Sequence, residues 1–114
     1  MHPEERLIIR YIDKIWNNLE FDTLSEYVDP GFVDYSIPIN ALRNQRGTAL
    51  YLKKLSESLS HHTQIRGLLK CDDLIICQFE LSWYCVQGFG SIEGRRIFRV
   101  REGKILAHWE IISR

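Results

Sequence analysis

Glu102-Gly103 is a two-residue turn signal set between two runs rich in Ile, Val, Phe and Trp, 94–101 and 104–112, and it commits the end of the chain to a β-hairpin. Upstream, 62–70 and 74–86 read as two further strands joined by a turn at Cys71-Asp72-Asp73. In the longer of these, Ile75, Cys77, Phe79, Leu81 and Trp83 alternate with Gln78, Glu80 and Ser82. One face is therefore core and the other is wet or in a polar contact. In the strand 94–101, Phe98 and Val100 belong to the apolar set, which puts Arg96 on the inner face and sends Arg95, Arg99 and Arg101 outward. Gly88, Gly90 and Gly94 loosen the backbone where such a sheet bends. A long bent antiparallel sheet preceded by helices predicts a cone around a pocket.

The helices come first. Pro3 suits a first helical turn, and Glu4 and Glu5 favour its positive end. Ile8, Ile12, Ile15 and Leu19 recur at three- and four-residue spacing as one buried stripe, flanked by Tyr11 and Trp16. Asp22 reads as the N-cap of a short helix, 23–28, which Asp29-Pro30-Gly31 stops. A short strand, 32–36, and a loop, 38–47, follow. Thr48 reads as the cap of a third helix whose inner face is Tyr51, Leu52, Leu55 and Leu59.

The 114 residues suit one domain, 1–114, with one hydrophobic core. Fifteen basic and fifteen acidic side chains cancel, so the chain lacks the electrostatic footprint of a nucleic-acid binder. No apolar run approaches a membrane span. Glu4 and Glu5 stand where a secretory leader wants bare positive charge, which makes the cytoplasm the expected compartment. Cys71, Cys77 and Cys85 are odd in number and lack metal-type spacing, as reduced thiols would be. No set of His, Asp, Glu or Cys is spaced as metal ligands, and neither a metal nor a cofactor is expected.

The order helix, short helix, strand, helix and strand meander resembles the NTF2-like superfamily, above all its SnoaL-like polyketide cyclase and ketosteroid isomerase branches. The most specific piece runs from Ile97 to Glu110 and is similar to the family's strand, turn and His-Trp-acid strand. Gly47-Thr48-Ala49 resembles the family's glycine before its third helix. The resemblance covers nearly the whole chain. It implies an α+β, cystatin-like cone of three N-terminal helices packed on a curved antiparallel sheet. It also implies a homodimer through the outer sheet face. It leaves the reaction open, because this superfamily holds isomerases, cyclases, dehydratases, hydrolases and non-catalytic binding modules on one scaffold.

Tyr11 matches the helix tyrosine that in ketosteroid isomerases donates a hydrogen bond to the forming enolate. Arg96 stands where those enzymes have a second donor, an aspartic acid. Ser36 takes the place of their base in the simplest register, and Asp34, two residues earlier, shares its strand face. Ser113 stands where the cyclase branch often has an acid. Both family acids are thus absent from their simplest positions.

Proton abstraction next to a carbonyl needs a base near the carbon and donors near the oxygen. Asp34 is the candidate base, its pKa expected to rise in an apolar pocket. Tyr11 and Arg96 are the candidate donors to the oxyanion. Against these stand plainer roles: Asp34 as a strand-edge acid, Tyr11 as a core ring, Arg96 as the ion-pair partner of Glu93 or Glu110. One of His61 and His62 can look into the cone mouth, and His108 shares a strand face with Glu110. Trp83, Phe79, Phe98 and Trp109 are candidate walls for a flat ligand, or simply core. The leading expectation is a homodimeric pocket protein for a small apolar or oxygenated organic molecule, working, if an enzyme, by cofactor-free proton transfer as an isomerase or cyclase. The rival is a non-catalytic binding or dimerisation module whose cavity its own rings fill.

Overall fold

The computed structural model describes residues 1–113. Helix α1, Pro3–Tyr11, opens with Pro3 in its first turn and with the Glu5 carboxylate accepting the His2 N–H at 3.0 Å. It runs on as a π-helical stretch, Ile12–Asn17. The wider turn brings residues five apart toward one side, and Tyr11 and Trp16 are both buried. A 3₁₀ turn, Phe21–Glu26, replaces the expected helix 23–28. Asp22 lies within it and makes no side-chain cap; the bond at its start is Thr23 Oγ1 to the Glu20 carbonyl, 2.8 Å.

Strand β1, Val28–Asp34, starts four residues before the expected one and takes in Asp29-Pro30-Gly31. Proline is tolerated because β1 is an edge strand. Helix α2, Gln45–Ser58, is capped by Asn44, whose side chain accepts the Gly47 N–H at 2.9 Å. Thr48 is therefore not the cap. The expected three helices are thus two α-helices, the first with a π-helical extension, and a 3₁₀ turn.

Four long strands follow: β2, Ser60–Cys71; β3, Leu74–Cys85; β4, Gly88–Arg101; and β5, Lys104–Ile112. The sheet order is β1-β5-β4-β3-β2. Neighbours from β2 to β5 are antiparallel, but β1 runs parallel to β5, with Asp34 opposite His108. The sheet is mixed rather than wholly antiparallel. Glu102 (φ 51°) and Gly103 (φ 75°) both adopt positive φ at the β4–β5 turn, the conformation that matches the twist of a two-residue hairpin.

Ile75, Cys77 and Phe79 are buried and Gln78 and Ser82 exposed, so the period of two reads the sheet face correctly. These residues join Ile8, Ile12, Ile15, Phe98 and Leu52 in one core between helices and sheet. The loop ahead of α2 lies so close to Gly47 that a Cβ there would meet the Leu42 carbonyl oxygen at 1.6 Å. Gly47→Ala should therefore cost about 3 kcal/mol, the upper end of overpacking, because a backbone atom blocks the way. Urea denaturation checks this: a loss within 0.5 kcal/mol (roughly the scale of an ordinary surface change) would mean that the loop is free to give way.

Candidate functional site

Asp34, at the end of β1, is fully buried and faces inward, and three elements converge on it. Thr48 Oγ1 on α2 donates to Asp34 Oδ2 at 2.7 Å. The Ser36 N–H donates to Oδ1 at 2.9 Å, and the Ser36 hydroxyl donates to the same oxygen. His108 on β5 brings Nδ1 to 3.4 Å from Oδ1 and 3.2 Å from Ser36 Oγ. Both neighbours of Nδ1 are acceptors, since the serine hydrogen is committed to the carboxylate. Nδ1 therefore carries the proton and Nε2 is left as a lone-pair nitrogen.

Burial alone would raise the Asp34 pKa, but the charge that His108 gains once it is protonated in acid and the hydrogen bonds from His108, Ser36 and Thr48 outweigh it and bring it down to about 2. This reverses the expected rise. Asp34 is a weak base with both oxygens occupied. Burial pulls the His108 pKa below its ordinary value; Asp34 opposes this and Arg96 adds to it. The neutral imidazole that results stacks on Phe98 at 4.3 Å and meets the edges of Trp16 and Tyr11 at 5.8 and 6.4 Å between ring centroids.

Arg96 is fully buried on β4, its guanidinium 4.0 Å from the Trp16 ring centroid and 4.4 Å from that of Phe79. Nη1 lies 2.7 Å from Glu110 Oε2, an ion pair without hydrogen-bond alignment. Burial lowers the Arg96 pKa, and Glu110 and Asp34 oppose the change. The buried hydroxyl of Tyr11 has its pKa raised by burial and then by Asp34, while Trp16 and Arg96 pull it down. Among the described residues, seven side chains present buried polar atoms with no hydrogen-bond partner: Arg43, His61 and Thr63, and four that belong to this interior, through Tyr11 Oη, Trp16 Nε1, the Arg96 guanidinium and His108 Nε2. Buried polar groups are rarely left so, and each one calls for a physical explanation.

Of the expected site residues, Tyr11, Asp34 and Arg96 share this interior, with Phe79 and Phe98 in its walls. Trp83 is half-buried toward the far end of β3, its ring lying on Gly90. Trp109 is not a wall: its neighbours His108 and Glu110 point inward, so Trp109 points outward, stacked on Tyr35 at 5.5 Å and beneath Arg99 at 5.8 Å. His61 is half-buried, with Nε2 3.3 Å from Ser56 Oγ, and His62 is exposed. The sequence reading took Thr48 as a helix cap, Tyr51 as part of that helix's inner face and Trp16 as a ring beside the buried stripe, and placed neither Thr48 nor Tyr51 at the site. For Thr48 no local signal exists, since it also fits a cap. Among the described residues none of the principal concavities is lined by Tyr11, Arg96 or His108, and rings of the core lie between them. Among the described residues no group of three or more His, Cys, Asp or Glu is arranged to hold a metal ion. Among the described residues no helix is long and apolar enough to cross a membrane.

The sequence matches no protein-family model, and no curated protein matches it. Solved structures do resemble it. A provisionally assigned polyketide cyclase of Acidithiobacillus ferrooxidans is 12% identical, with 99% of this chain and 89% of that chain covered and a TM-score of 0.84. IdmH of Streptomyces antibioticus, also provisionally assigned as a polyketide cyclase, is 16% identical over 98% of this chain and 93% of that one, with a TM-score of 0.84. An LEH-like epoxide hydrolase of M. tuberculosis is 14% identical over 97% and 83%, with a TM-score of 0.80. The chain shares the fold of these solved structures, the NTF2-like fold that the sequence resemblance implies.

Stability should fall with acid in two stages. Neutral His108 is favoured in the fold, so the unfolded chain takes up protons first, below about 6.5, and stability drops as pH falls further. Asp34 then loses its contribution between 3.8 and about 2. That second contribution is on the order of 2 kcal/mol. Urea denaturation from pH 8 to 3 should show the first decline in the native chain and a shallower one in His108→Gln, where His61, its pKa also lowered by burial, keeps part of it; an equal slope in both would contradict a neutral imidazole.

Proposed function

We propose that this protein is a small-molecule enzyme that moves a proton on an oxygenated, largely apolar carbonyl compound, with no cofactor, as an isomerase or cyclase. The observation that carries the reading is the set of buried, unpartnered polar atoms on Tyr11, Arg96 and His108. His108 Nε2 takes the proton. Asp34, with Ser36, holds the imidazole in the tautomer that leaves Nε2 free, and acts as a positioning residue rather than as the base. The oxyanion that forms is met by the Tyr11 hydroxyl and the Arg96 guanidinium, whose charge counts for more in a site without water. Phe79 and Phe98 supply apolar walls and Trp16 an N–H at the edge.

Incubation with a panel of cyclic 1,3-dicarbonyl compounds and enones in heavy water, followed by NMR, tests this. The native chain should catalyse deuterium incorporation next to the carbonyl, and His108→Gln should lower the rate about 100-fold or more. The rate should be level above pH 6.5 and fall with acid, because protonation of His108 removes the base. Binding without any exchange would favour the second reading, a non-catalytic binding module. That reading is supported by the rings of Trp16, Phe79 and Phe98, which occupy much of the interior.

The same proposal includes a homodimer through the outer sheet face and a place in the cytoplasm. Arg95, Arg99 and Arg101 are exposed there, beside the outward Trp109 and Ile111. Sedimentation equilibrium at micromolar concentration should give twice the chain mass, and Arg99→Glu should shift it toward the monomer; a native monomer would refute the dimer.

A further inference from the structure

The largest concavity among those that the surface presents clearly lies away from the buried cluster. It is a groove of about 460 Å³ between α2 and the loop before it, lined by Pro38, Ala41, Leu42, Leu50, Tyr51 and Lys54 among others. That is enough for a small organic molecule. Leu42 and Leu50 are exposed there, an apolar floor without cover.

Two observations say what it takes and where it leads. The first is charge. Between Asp34 and Glu57 the chain carries Arg43, Arg46, Lys53 and Lys54 and no acid, although the chain as a whole is neutral. Lys54 stands in the groove lining and has no ion-pair partner among the described residues. The second is Tyr51. On α2, Gly47, Leu50 and Lys54 form one stripe that faces the groove, and Thr48, Leu52 and Leu55 form another that turns to the interior. Tyr51 falls on the boundary between them. It lines the groove and also packs against the core. Its pKa is raised by burial and then by Glu110, with Arg96 opposing and Asp34 adding, so its ring stands in the field of the buried cluster. No hydrogen bond of its hydroxyl ties it down among the described residues.

We propose that the groove is the seat of the outer part of the ligand, an apolar organic anion whose charge meets Lys54, and that Tyr51 is the gate between this groove and the interior at His108. The inference rests on the buried cluster being the ligand's destination.

The probe is 1-anilinonaphthalene-8-sulfonate, with neutral N-phenyl-1-naphthylamine as the same skeleton without charge. Fluorescence titration of the native chain should show saturable binding of the anion. Lys54→Glu should weaken the anion at least tenfold and the neutral compound less than twofold, and Lys54→Arg should restore it. Both variants lie on an exposed position of α2, and an unchanged melting temperature checks the fold. In NMR spectra the anion should shift the backbone amides of Leu50 and Lys54 and also the His108 imidazole. Tyr51→Ala should speed exchange at His108 without removing binding. Equal loss of both compounds in Lys54→Glu, or shifts confined to another concavity, would overturn the groove. Groove shifts with a silent His108 would overturn the gate while leaving the proton-transfer reading intact. Absence of deuterium exchange beside Lys54-dependent binding would instead refute that reading alone.

Discussion

The buried carboxylate of Asp34 is the joint on which the rest of the arrangement depends. An unpaired charge at that depth would be very costly, so its partners are fixed once it is inside. Thr48 ties it to α2, Ser36 to the turn after β1, and His108 to β5. The backbone follows the same path: the Asp34 N–H donates to the Arg43 carbonyl at 2.9 Å, and the Tyr35 N–H to the His108 carbonyl at 2.7 Å. One side chain thus holds an edge strand, a helix and the neighbouring strand in register, and sets the orientation of the imidazole in the process.

Arg96 is the second buried charge, and it is stabilised differently. It has one carboxylate partner, Glu110, at the margin of the interior, and two aromatic faces, Trp16 and Phe79. Cation–π contact and a single ion pair offset part of the desolvation and leave most of its donors unmatched. The contrast with Asp34 is informative. Asp34 is saturated by its neighbours, whereas Arg96 keeps spare donors. The π-helical stretch after α1 belongs to the same design, because its wider turn brings Trp16 to the cation and Tyr11 beside the imidazole.

The fold shows why a reaction is harder to read than a scaffold. Solved structures with this fold, at identities of 12–17%, include proteins described as cyclases and one as an epoxide hydrolase. The scaffold supplies a helical layer against a bent sheet, and the chemistry depends on which few side chains turn inward. Here the inward polar side chains include Asp34 and His108 in contact, with Tyr11 beside the imidazole and Arg96 between Trp16 and Phe79.

Much of this was legible in the chain itself. Alternation along β3 and β4 put Phe79, Phe98 and Arg96 inside, because side chains on a strand have a strict period of two. Asp34 turned inward as a strand residue, whereas Ser36, expected on the same strand face, lies in the turn after β1 and reaches the carboxylate from there. The hairpin at Glu102-Gly103 followed from the turn chemistry of those two residues. What the sequence left open were matters of long-range pairing. Whether Thr48 caps a helix or holds a carboxylate depends on where β1 lies, and the parallel pairing of β1 with β5 has no local signal. Trp109 looked as apt for a pocket as Phe98, yet the register of β5 turned it outward. The pKa of Asp34 was the sharpest difference: burial alone raises it, and only the tertiary fold supplies the three neighbours whose hydrogen bonds bring it down. Local residue patterns set which elements form and which faces are apolar. Only the meeting of elements distant in the chain decides which polar groups are satisfied and which remain free to act.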